Sequence, residues 1–280
     1  MDNVTLARAT MGTSLIFHIV FAAIGVGLPL LLVIVEGLGR WRHDQLWLDL
    51  ARRWGKALAI LFAVGAVSGT VLSFELGLLW PKFMAFSGSL VGFPFTAEGF
   101  AFFIEAIFLA LYLYGWERLT PLQHWLCSLP LAISGAASAL FVVMVNGWMN
   151  TPSGFQLDHG QLVKVDPLAA AFNPSVPTED PHMLFAAYTV TGFLVAAIYA
   201  AGMLRGRHDT LHRRGLAVGM GLGGVAVALT GLWGDFSARF LYVAEPVKFA
   251  AMEALFKTQQ YAPITIGGVV DAAHQRVLWG

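Results

Sequence analysis

The sequence predicts an all-α protein, a polytopic bundle of about six membrane-spanning helices. Three observations predict it. Of its 280 residues 57% are hydrophobic, with mean hydropathy +0.68. Only 12% are charged, about half the share in soluble domains. Six separate apolar runs are long enough to cross a bilayer, at about 13–37, 56–79, 95–115, 122–146, 183–204 and 215–234. The zero net charge excludes a nucleic-acid partner as the natural reading. The single cysteine, Cys127, lies in an apolar run and has no intrachain partner for a disulfide. The opening residues do not read as a signal peptide, since the apolar run behind them is too long.

Span one contains His18 within FHIVFAAIGVGLP, with Ala22 and Gly25 on the same helical face. Span two carries Glu75 near its end. Span three, FPFTAEGFAFFIEAIFLALYLYGW, holds two carboxylates, Glu98 and Glu105, seven residues apart, and Tyr112 follows seven further on. At about 3.6 residues per turn the three share one face. A charge inside hydrocarbon is costly, so such a stripe is first a functional hypothesis, with helix packing by neutral acids as the plainer reading. Span five begins at His182, with Ala186, Thr189 and Gly192 on roughly its face. In span six, Gly221, Gly223 and Gly224 read as close helix packing rather than a phosphate loop.

Between the spans, Arg40, Arg42, Arg52, Arg53, Lys56, Arg118, Arg205, Arg207, Arg213 and Arg214 fall on one side, and Arg8, Lys82 and Lys164 on the other. Ten against three places the first group in the cytoplasm. The N-terminus, the 147–181 segment and everything after Asp235 are then outside. The 147–181 segment is expected to be irregular but compact, and 244–257 to form a short amphipathic helix on the outer membrane surface. The chain divides into a bundle, 1–234, and an outward segment, 235–280.

A histidine above a strip of small residues leaves room for a flat macrocycle, and haem iron takes an axial imidazole. Bonding to a carbonyl or an acid is the plainer reading for His18. His43, His124, His159, His208, His212 and His274 read as solvated surface or polar span ends. By depth, His18, Glu75, Glu98 and His182 form an outer layer, with Glu105 about 10 Å further in. His18 and Glu98 are expected to share a cavity between spans one and three, lined also by Phe102, and His182 to border a second slot. This layout suits redox centres near the outer face, and equally a transporter site.

Several stretches resemble subunit I of cytochrome bd-type quinol oxidases. They are LARATMGTSLIFHIVF, SGTVLSFELGLLWPKF, AEGFAFFIEAIFLALYLYGWERL, ALFVVMVNGWMNTP, the His182 stretch, GDFSA, PVKFAAMEALFKT and APITIGG. The resemblance covers nearly the whole chain, in order. It implies a bacterial inner-membrane enzyme that oxidises quinol and reduces dioxygen to water, working with a second, haem-free polytopic subunit. It implies His182 as ligand of a low-spin haem b, and His18 as ligand of a high-spin haem, d and/or b. It further implies Glu98 at the high-spin haems, Glu105 and Ser138 on the proton path, Lys248 and Glu253 at the quinol, and Arg8 near the haem propionates. Subunit I of that family continues through about three more spans carrying further haem ligands, so the chain is expected to be a fragment or half of a split subunit. It is not expected to assemble the full haem set alone. The alternatives are a six-span proton-coupled transporter and a haem-binding scaffold without turnover. A transporter needs the acids but has no use for the two histidines.

Overall fold

The computed structural model describes residues 2–262, 265 and 267–279. Of the APITIGG stretch, Pro263, Ile264 and Ile266 lie outside the described residues. Six helices are long and apolar enough to cross a membrane. They are α1 (Asn3–Trp41), α2 (Gln45–Leu79), α3 (Pro81–Tyr114), α4 (Pro121–Asn150), α6 (Val176–Leu204) and α7 (Thr210–Ala244). Between α4 and α6 stand a hairpin of β1 (Gln156–Asp158) and β2 (Gln161–Val163) and a short helix, α5 (Pro167–Ala171). After α7 come α8 (Pro246–Met252) and a hairpin of β3 (Val269–Asp271) and β4 (Arg276–Leu278).

The helices outrun the apolar runs because caps, not hydrophobicity, end them. Asp2 accepts from Thr5 N, Asp44 from Leu46 N and Asp209 from His212 N. Thr120 and Gln123 close a reciprocal capping box ahead of Pro121. Likewise α7 does not stop at Gly234 but continues through Asp235 to Ala244, so the irregular tail starts at Glu245. The amphipathic helix expected over 244–257 is only the seven residues of α8.

α1, α2, α3 and α4 form a ring in which each helix packs on the next and α4 closes on α1. The α6–α7 hairpin packs outside it, with α6 against α1 and α4. α1 and α3 are therefore diagonal partners. They were expected to be direct neighbours, but contact between them is at most marginal among the described residues.

The main core fills one half of this ring. Leu28, Leu31, Leu32 and Val35 meet Leu50, Trp54 and Leu58, with Leu109, Tyr112 and Leu131 from across the ring. All of α1's buried residues lie between Ile24 and Gly39, and its N-terminal half has none. A second, smaller core joins Leu90 and Val91 of α3 to Val145 and Trp148 of α4 and Ala170 of α5. It explains why the 147–181 segment is compact. Asn173 is buried there and donates to Met144 O at 2.9 Å.

Glycine sets the α6–α7 contact. A Cβ at Gly192 would strike the backbone of Gly223 and Gly219. Gly221 and Gly224 would meet nothing within 4 Å, so the packing expected of this run belongs to Gly219 and Gly223.

Candidate functional site

His18 is half-buried on α1, and its Nδ1 lies 2.9 Å from Ser68 Oγ on α2. Ser68 donates its own proton to Val64 O at 2.9 Å. The serine can then only accept, so His18 Nδ1 carries the proton and Nε2 keeps its lone pair. Room for the ring comes from Gly69, where a Cβ would sit 3.1 Å from His18 Cε1. One turn nearer the helix start, Ser14 donates to Glu75 Oε1 at 2.7 Å, while Glu75 Oε2 is buried without a partner. Gly25, on the same strip, would meet nothing within 4 Å of a Cβ.

His182, half-buried on α6, is set in the same way. Its Nδ1 lies 3.1 Å from Thr230 O on α7. A carbonyl only accepts, so Nδ1 is the protonated nitrogen and Nε2 is bare. Gly234 provides the close approach, a Cβ there standing 3.3 Å from His182 Cε1. The small-residue slot expected deeper along span five is not there. Thr189 bonds Phe185 O and Thr230, and Gly192 is pressed onto α7. Those small residues serve helix contact, and only the outer end of the α6 strip stays open.

The acids of α3 face α4. Glu98 accepts from Ser138 Oγ at 3.2 Å. Glu105 is buried, and a Cβ at Gly135 would lie 3.2 Å from its Oε1. His18 thus engages α2 and Glu98 engages α4. The two sit on the diagonal of the ring rather than on adjoining helices, because α2 and α4 supply the polar and small residues that receive them. Phe102, expected to line this cavity, stacks on Phe62 with centroids 4.8 Å apart.

At the tail, Lys248 pairs with Glu245 at 3.6 Å, whereas Glu253 is the exposed C-cap of α8. Arg8 is exposed, ten residues before His18. At 1.5 Å per residue that is about 15 Å further out along α1.

Sequence reasoning missed three groups. His124, read as polar surface, is 1% exposed. Its Nδ1 lies 2.7 Å from Glu36 Oε1 and its Nε2 donates to Tyr112 O at 2.9 Å. Arg40 Nε also donates to Glu36, at 2.7 Å, and Glu36 is fully buried. Asp180, two residues before His182, is buried with Oδ1 unpartnered. Glu245 is the third. The signals were a carboxylate at the end of an apolar run and two consecutive acids ahead of Pro181-His182. Among the described residues no three His, Cys, Asp or Glu side chains converge as a metal-ion site requires.

Comparison with known proteins agrees on one family. Residues 6–280 match the family described as cytochrome bd terminal oxidase subunit I. The putative cytochrome bd menaquinol oxidase subunit I of Bacillus subtilis is 38% identical over 100% of this chain and 64% of its own length. The cytochrome bd-II ubiquinol oxidase subunit 1 of Escherichia coli is 32% identical over 92% of this chain and 51% of its own. The bd oxidase structure from Geobacillus thermodenitrificans superposes with a TM-score of 0.93 at 41% identity, covering 96% of this chain and 63% of that one. The chain thus spans about half to two thirds of the length of these relatives. On the match of sequence, fold and ordered motifs, this chain belongs to the cytochrome bd terminal oxidase subunit I family.

Proposed function

We propose that this chain forms the haem-bearing N-terminal bundle of a respiratory oxidase that takes electrons from a quinol and reduces dioxygen to water. One observation carries the reading. His18 and His182 each spend Nδ1–H on a protein acceptor and keep Nε2 as a lone pair, the arrangement by which a second partner orients a metal-ligating imidazole. Glycine beside each ring keeps that side of the imidazole free of side chains. The residues present therefore fit a haem iron held by one imidazole each: His182 would hold a low-spin haem b and His18 a high-spin haem, d and/or b. When bound, haem supplies one-electron transfer and oxygen reduction.

The chain's own groups handle protons and quinol. Each quinol gives up two electrons and two protons, and dioxygen takes four of each to become water. Glu105 and then Glu98, held by Ser138, lie on one helix face that leads from the arginine-rich end toward the haem level, and they pass protons along it to the oxygen site. Lys248, braced by Glu245, and Glu253 receive the quinol at the opposite end, where a carboxylate accepts a proton as electrons leave. Residues 235–280 then begin the quinol-binding segment. Arg8, near the start of α1, would interact with haem propionates. The arginine-rich end is cytoplasmic and the quinol end faces outward, in a bacterial inner membrane. A second, haem-free polytopic subunit completes the enzyme. Relatives named for menaquinol and for ubiquinol support quinol as the donor class.

The test is a pyridine haemochrome assay with optical spectra on the oxidase purified from its native membrane. His182→Ala is expected to remove the low-spin signal, and His18→Ala a high-spin signal together with oxygen uptake. Both signals surviving both substitutions would overturn the assignment.

A further inference from the structure

At the arginine-rich end, away from every group used above, a cleft of about 440 Å³ opens between α2, α6 and α7. We infer that it binds the phosphate group of an anionic membrane lipid. Arg53, Arg205 and Arg207 line it, and none of the three is in an ion pair among the described residues. Guanidinium groups bind phosphate oxygens bidentately, and unpaired ones at a membrane surface attract an anionic head group.

The cleft is built rather than incidental. The α6–α7 turn is fixed by its backbone, with Arg205 N donating to Ala201 O at 3.2 Å and Arg207 N to Gly202 O at 3.1 Å around Gly206 at φ +89°. Two arginines are thereby carried on one rigid turn, facing the third on α2. Tyr199 stands at the back, its hydroxyl accepting from Trp54 Nε1 at 2.9 Å. The Cδ2–Nε2 edge of the His212 ring is set against Gly202, where a Cβ would lie 2.6 Å from Cδ2. Asp209, at the start of α7, is held by His212 Nδ1 at 2.8 Å and by His212 N, which fixes its carboxylate on its own helix.

The cleft also has an apolar exit. Ile198 on its wall is 61% exposed, and Leu204 at the end of α6 is 90% exposed. Acyl chains can follow α6 into the bilayer while the phosphate stays with the arginines. A soluble phosphate would use the arginines but not this apolar flank.

The test is native mass spectrometry of the delipidated full chain with added phosphatidylglycerol or phosphatidylcholine. Phosphatidylglycerol is expected to be retained at least about tenfold more, at roughly fivefold per contributing arginine. Arg53→Gln/Arg205→Gln/Arg207→Gln should bring the ratio within about twofold. Arg42→Gln/Arg118→Gln/Arg213→Gln, which removes the same charge elsewhere on that end, should leave it unchanged. Should the first triple variant not fold, Arg207→Gln in the exposed turn suffices, with an expected loss of about fivefold. Equal retention of the two lipids, or equal loss in both triple variants, would overturn the site. Inorganic phosphate is expected to leave lipid retention unchanged. If it emptied the cleft of lipid, the site would belong to soluble phosphate and the lipid assignment would fall.

Discussion

In the arginine-rich half of the α1–α4 ring the side chains close on one another. In the half that carries His18 and Glu98, α3 and α4 meet over the smaller core, but α1 and α2 bury no apolar side chain there. The first half holds the leucine core and also a polar knot, in which Arg40 and His124 both bond Glu36 Oε1. The second half has no buried residue on α1 before Ile24, and there His18 is oriented by one hydrogen bond to Ser68 and Glu98 by one from Ser138. The contrast separates stability from function. A buried carboxylate held by both a guanidinium and an imidazole resists change, whereas one held by a single hydroxyl remains available to a ligand or a proton.

The largest effect should come from opening the knot. Glu36→Ala leaves the His124 ring and the Arg40 guanidinium without their carboxylate, and removing one partner of a buried pair costs about 3–5 kcal/mol. His18→Ala should cost less than about 1.5 kcal/mol, the net value of one hydrogen bond, because little packs around it. Unfolding of the haem-free chain in mixed micelles, followed by circular dichroism, measures both. If the two variants lose equal stability, the division into a structural and a functional half is wrong.

Next in size is the acid at the boundary. Glu105 is buried where the filled half meets the open one. Glu105→Gln keeps shape and polarity but cannot ionise, so oxygen uptake by the oxidase from its native membrane should fall about a hundredfold or more, within the range for a lost proton-transfer group. Haem content should stay the same. Lost haem with normal turnover per haem would make Glu105 a packing residue instead.

Glycines draw the same line more finely. Gly192→Leu must push α6 off the backbone of α7, and overpacking of this kind costs about 1–3 kcal/mol. Gly25→Leu is a different case, because a Cβ there meets nothing within 4 Å. It should stay within about 0.5 kcal/mol in the haem-free chain, as surface changes do. It should nonetheless lower the haem recovered at His18. A Gly25→Leu variant with full haem content would show that this strip faces lipid rather than the macrocycle.

The residues legible in the sequence and those hidden in it divide for a physical reason. Span number follows from hydropathy, which is local. His18 and His182 stood out because a polar residue inside an apolar run is anomalous by itself. The partner helix of each was not legible, because ring order depends on contacts between distant segments. Diagonal placement of α1 and α3 follows from α4 closing on α1, which no local pattern encodes. His124 looked like surface because it lies three residues into a helix behind a polar turn. Only the Glu36 carboxylate across the ring explains its burial. The strip Ala186, Thr189, Gly192 was ambiguous in principle, since small residues admit a macrocycle or a neighbouring helix equally well.

The smallest expected effect lies outside the bundle, where α2 is tied to α7. Asp44 caps α2 through Leu46 N, and its carboxylate meets Arg214 at 2.6 Å. The Arg214 guanidinium, foremost by hydrogen bonding, holds the Asp44 carboxyl below its ordinary value of 3.8. A carboxyl whose value is lowered by folding stabilises the fold above its unfolded value, and that contribution disappears as pH falls through the lowered one. The difference in stability between the native chain and Asp44→Asn should therefore be constant from neutral pH down to about pH 4 and shrink below it. Because the pair is solvent-accessible, added salt should reduce the same difference at neutral pH. Unfolding midpoints of both chains across pH 2.5–7 and at two ionic strengths measure it. A difference that persists undiminished in acid would mean that Asp44 acts only as a helix cap whose neutral form serves as well, and that the arginine-rich end is joined by packing rather than by charge.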